Sequence, residues 1–140
     1  MPDKRIPKWF DQTWGHPADA WDEAKEECRR TLIEWARRGR IGTYGELVGH
    51  VRAVEWPEGA FTGHGSMIGL LLGQVSTAEW LQDRPLLSAM AINAELGRPS
   101  KSFFVFARGD LGLPVGTSDE QEDVWWIDEV KRCQAYWGAR

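Results

Sequence analysis

The run Gly63-His64-Gly65-Ser66 is where this sequence first offers chemistry. Glycines let a backbone approach a ligand closely, and the free N–H groups of a helix opening at Ser66 would attract an anion. His64 is placed to donate to a phosphate or to act as a general acid or base, with Ser66 binding the same oxygens. The plainer account is a turn whose Ser66 only caps the next helix, and short glycine motifs match by chance often enough to favour it. Ser88 sits in an apolar run and would be a nucleophile only with a base such as His64 or His50 folded against it. A buried hydroxyl bonded to backbone is the simpler reading. His50 at the end of a short helix suits the helix dipole, and His16 beside Pro17 reads as a cap-region residue. Three scattered histidines, with no C-x-x-C pair, give no metal spacing. Nothing calls for a cofactor.

The elements that must position these residues are legible in part. Pro17 suits a first helical turn, and Trp21, Ala24, Cys28, Leu32, Trp35 and Ala36 recur at steps of three and four up to about Arg38. Gly39 is the expected stop. Thr43-x-x-Glu46 is a capping box opening a short helix with Leu47, Val48 and Val51. Residues 52–65 read as a loop. An apolar helix begins near Ser66; Gly69 and Gly73 share one of its faces, which predicts close packing of another backbone there. Leu86–Ile92 has the length of a buried strand and Asn93–Pro99 the composition of a turn; Phe103–Phe106 could return as a second strand or begin a helix, and the expectation leans to a short strand or turn running into a helical end. Ser118-x-x-Gln121 caps a last helix with the stripe Trp126, Val130, Cys133 and Trp137.

Composition sets the outer bounds. A chain of 140 residues fits one domain. Its formal net charge of −4 lacks the basic footprint of a protein living on phosphate contacts, although Arg37, Arg38 and Arg40 cluster. Cys28 and Cys133 fall on apolar helix faces, so buried free thiols are expected. No signal peptide and no bilayer-spanning run are visible, which points to the cytoplasm. Nine tryptophans are many. Those at helical spacing read as core, whereas Trp9, Trp14 and Trp56 sit among Pro and Gly and invite a stacking role.

Residues from Gly39 to Asn93 carry a resemblance. Gly39, Thr43-Tyr44-Gly45 and Leu47 resemble the start of the DNA-binding domain of the alkylguanine-DNA alkyltransferase and alkyltransferase-like family. Aligned on Asn93 and Gly97, that family's cysteine falls on Ser88, its histidine on Ala89 and its arginine on Met90. The resemblance therefore implies a winged-helix topology but not alkyl transfer, since thiol and activating histidine are both absent. Where the family inserts an arginine from its recognition helix, this chain has Met67, Ile68, Gly69 and Leu70, and apart from Ser66 and Gln74 it offers no base-reading or phosphate-binding side chain of the kind direct readout needs. Tyr44 is the functional family residue that is retained.

The expectation is an α+β single domain, mostly helical, with a winged-helix-like core at 40–107, a small sheet and a long helix at each end. Residues 1–16 form an irregular aromatic arm and 118–138 the C-terminal helix. The leading function is a non-catalytic binding module for a partner protein or a small phosphate-bearing, nucleotide-like ligand, through Tyr44, Gly63, His64, Gly65, Ser66 and Arg98. One alternative is DNA or RNA binding through Arg37, Arg38, Arg40, Arg98 and Lys101. The other is hydrolysis of a phosphoester or acyl substrate by His64 with Ser66 or Ser88. No membrane partner is expected.

Overall fold

The computed structural model describes residues 4–58 and 66–140. Helix α1 (Ala18–Arg37) ends as its sequence directs: Gly39 takes φ +67°, its N–H donates to Ala36 O, and Arg40 N–H donates to Trp35 O. The chain then makes a two-residue strand, β1 (Gly42–Thr43), and enters helix α2 (Tyr44–His50). The capping box there is complete: Thr43 Oγ1 accepts from Glu46 N–H at 3.1 Å, and Glu46 Oε1 accepts from Thr43 N–H at 3.0 Å. Ser66 caps helix α3 (Met67–Leu81) by accepting from Gly69 N–H at 3.0 Å. The last helix, α5 (Asp119–Gly138), opens on the Ser118–Gln121 box. Helix α1 packs against α3, α5 and α2, so the two long terminal helices and α3 enclose one apolar core containing Trp21, Leu32, Leu47, Leu71 and both cysteines. The molecule is a single, mostly helical α+β domain with one small sheet. None of its described helices is long and apolar enough to cross a membrane.

The run 86–92 differs from the expected strand. Leu87–Met90 is a 3₁₀ turn, and only Ala91–Ile92 is strand (β2), pairing parallel with β1 in the register Gly42–Ala91 and Thr43–Ile92. The reason lies in burial on all sides: Leu86, Leu87, Ala89 and Met90 are all buried. Side chains, rather than a neighbouring strand, satisfy this backbone. Glu129 Oε2 accepts from Leu86 N–H at 2.7 Å, and Cys133 Sγ donates to Leu86 O at 3.3 Å. Ser76 Oγ accepts from Ser88 N–H at 2.9 Å, and Trp126 Nε1 donates to Ala89 O at 2.8 Å. Ser88 is therefore held in a turn, not a strand.

Phe103–Phe106 is also not a strand. Helix α4 (Lys101–Val105) runs straight into a π-type turn at Phe106–Asp110. Phe103, Phe104 and Phe106 fill a second core with Leu86, Ala89, Leu111 and Val115. Three rings within four residues would lie on both faces of a strand, and here one helical turn gathers them into one cluster. The antiparallel pairing among the described residues is a single bridge, Asn93–Arg98, closing the turn before α4.

The N-terminal arm lies on its own body. Gln74 of α3, almost wholly buried, donates through Nε2 to Trp9 O (2.9 Å) and Gln12 O (2.7 Å), while its Oε1 accepts from Trp21 Nε1 (2.7 Å). Lys4 adds an ion pair to Asp83 at 2.6 Å. Gly73 explains itself here. A Cβ on it would sit 3.0 Å from Trp9 Cη2, so the close neighbour is an indole ring and not the backbone expected from the glycine pair.

Candidate functional site

A cleft of about 320 Å³ opens between the arm, the first turns of α3 and helix α4. That volume lies at the lower end of small-molecule sites. Its apolar walls come from Trp9, Trp14, Ile68, Leu72, Phe103 and Phe106. Trp9 leans on Phe106 with ring centroids 5.7 Å apart. Trp14 stands at the rim, 46% exposed, with φ +53°, a conformation that non-glycine residues seldom take.

Hydroxyls make up most of the polar lining. Tyr44 Oη accepts from Ser100 N–H at 2.9 Å and donates to Ser100 Oγ at 3.4 Å; Ser100 Oγ and Ser102 Oγ lie 2.7 Å apart. One hydroxyl proton of that pair stays free for the cleft. On the other side Ser76 Oγ donates to Ser88 Oγ at 2.6 Å while accepting from Ser88 N–H, which leaves the Ser88 proton free as well. Asp110, at the end of the π-type turn, is the one carboxylate among the described lining residues. Partial burial raises its carboxyl above the ordinary value, and the nearby Trp9 indole N–H offsets part of that rise.

Parallel pairing of β1 with β2 is what brings this site together. It sets Tyr44, one residue after β1, near the turn carrying Ser88, three residues before β2. Of the residues that the sequence singles out, Tyr44, Ser66 and Ser88 line the cleft. Gly63, His64 and Gly65 lie outside the described residues, so the helix-start site is represented by Ser66 alone. Arg98 is elsewhere: its Nη2 lies 2.7 Å from Asp123 and 3.7 Å from Glu122, with the guanidinium over the Phe104 ring. Lys101 pairs with Glu122 at 2.8 Å. Arg38 meets Glu34 and Arg40 meets Glu46, each at 2.7 Å, and Arg37 Nε donates to Trp137 O at 3.4 Å. The five basic residues thus spread over two regions, and four of them face carboxylates. His16 stacks on Trp21.

Whereas Trp9 and Trp14, whose Pro and Gly surroundings invite a stacking role, do line the cleft, Gln12, Ser100, Ser102 and Asp110 carry no signal as site residues in the sequence. Each is ordinary in its own neighbourhood, and only the docking of the arm against α3 and α4 makes them neighbours. Compared with known proteins, the chain matches no family profile, no curated protein and no solved structure.

Proposed function

We propose that this chain is a non-catalytic binding module for a small organic molecule with an apolar, flat body and a hydrogen-bond acceptor at one end. The observation that carries this reading is the lining of the cleft: aromatic walls, with free hydroxyl protons from Ser88 and from the Ser100–Ser102 pair. Apolar walls supply affinity by area, and a few convergent polar groups fix orientation. A phosphate-bearing ligand fits this lining less well, since no described lining residue is cationic and Asp110 would repel it. A hydrolase reading also gains little. Ser66 Oγ is committed to capping α3, and Ser88 Oγ is held by a second serine rather than by a described base.

Ligand-observed NMR and calorimetry with 2-naphthylmethanol test the reading. Saturable binding to the wild-type chain, abolished by Ser102→Phe, is the expected result. No saturable binding, or binding unaffected by Ser102→Phe, would overturn it.

Nucleic-acid binding is the second reading. Its support is that Tyr44 and Ser88, the positions the alkyltransferase-like resemblance aligns with functional ones, both line the same cleft. Against it stand the acidic total and the carboxylates facing Arg38, Arg40, Arg98 and Lys101. A mobility shift with duplex DNA that weakens as salt rises would favour it; unchanged mobility at low salt would remove it.

A further inference from the structure

We infer that the cleft selects a ligand carrying a protonated amine, with the Asp110 carboxylate as its counter-ion and the rings of Trp9 and Trp14 beside it. The inference rests on the small-molecule reading above and names the chemical class of that ligand.

Three observations converge on it. First, Asp110 is the only charged residue among the described residues lining the cleft. The three fully buried carboxylates among the described residues are matched by cations: Glu79 by Arg29 and Arg84, Glu122 by Lys101 and Arg108, Glu129 by Arg132. Asp110 has no such match among the described residues. Second, the cation nearest to it in the chain is turned away. Arg108 directs Nη1 to Gly116 O and lies 3.3 Å from Glu122 Oε2. Third, two indoles share the cleft with Asp110: Trp9 turns its N–H edge to the carboxylate, and Trp14 stands at the rim, where an indole face can take a cation through its quadrupole. An anionic ligand would meet only repulsion at that end.

The ligand therefore places its ammonium at the Asp110 end and its apolar body between Phe103, Phe106 and α3. Its acceptor group faces the Ser88 hydroxyl and the free hydroxyl proton of the Ser100–Ser102 pair.

Three probes sharing one ring system separate the possibilities: 2-naphthylmethylamine, 2-naphthylmethanol and 2-naphthoate, titrated at pH 7 into the wild-type chain and into Asp110→Asn. Asp110 is exposed, so the variant should melt with the wild type. The amine should bind about fivefold more tightly than the alcohol, and the carboxylate more weakly than both. In Asp110→Asn the amine-to-alcohol affinity ratio should fall to about one. Equal binding of amine and alcohol to the wild type, or a ratio that survives Asp110→Asn, would overturn the assignment while leaving the small-molecule reading standing. Failure of all three probes to bind would overturn both.

Discussion

Gln74→Leu is the substitution on which the organisation of the site turns. Gln74 is 1% exposed and uses all of its side-chain amide: one indole N–H is accepted, and two arm carbonyls receive its own N–H groups. Leucine has a similar volume and fills the space, so packing changes little. What changes is that Trp21 Nε1 and the carbonyls of Trp9 and Gln12 lose their partner together. Trp21 is 1% exposed, and its N–H has no route to water. A buried orphan of this kind costs about 1–3 kcal/mol. The two carbonyls can escape a similar cost only if the arm lifts away, which sacrifices the contacts of Trp9 with Gly73 and Phe106. By either route the loss is about 3 kcal/mol, or roughly 10 °C in Tm for a domain of this size. Thermal melts followed at 222 nm measure the loss, and limited trypsin digestion reports the route. Cleavage after Lys8, slow in the wild type, should become fast if the arm is released. Gln74→Glu sharpens the test. Its carboxylate still accepts from Trp21 but opposes two carbonyl oxygens, so it should destabilise at least as much as leucine. A Gln74→Leu protein melting within 1 °C of wild type, with its arm equally protected, would refute this account of how the arm is held.

Two further tests address the strand junction and the cap that position Tyr44. A Cβ at Gly42 would lie 2.6 Å from Cζ3 and 2.7 Å from Cζ2 of Trp35. Gly42→Ala should therefore cost about 2–3 kcal/mol of stability by overpacking. Gly45→Ala, whose Cβ meets only Thr43 Oγ1 at 3.9 Å, should be neutral or slightly stabilising in chemical denaturation. The Thr43 backbone N–H, and after it the Arg40 guanidinium, hold the Glu46 carboxyl below its ordinary value of 4.5. A carboxyl lowered on folding adds stability that is complete above 4.5 and disappears as pH falls through the lower, folded value. The gap in Tm between wild type and Glu46→Gln should hold from pH 7 to about 5 and close on further acidification. A gap that stays constant down to pH 3 would contradict that origin. The effect is small, since Glu46 is half exposed and screened by water.

The sequence by itself determined the features whose hydrogen bonds and packing close within a few residues. Both capping boxes form as read, Gly39 ends α1, Ser66 starts α3, and the three-and-four spacing of Trp21, Ala24, Cys28 and Leu32 becomes the buried face of α1. Both cysteines are buried free thiols, and burial pushes both thiols up. The tertiary structure decided whatever depends on partners far along the chain. Leu87–Met90 is a turn rather than a strand because Ser76, Trp126, Glu129 and Cys133, from α3 and α5, supply the bonds that a neighbouring strand would have made. Phe103–Phe106 is helical because one core takes all three rings. Trp9 and Trp14 became walls of a cleft, beside Asp110 as the one charge among its described lining residues, because Gln74 reaches across more than sixty residues to hold the arm. Such a bond leaves no periodicity and no local motif behind. The energy that places these residues comes from desolvated contacts between distant segments, and local spacing carries no record of which segments will meet.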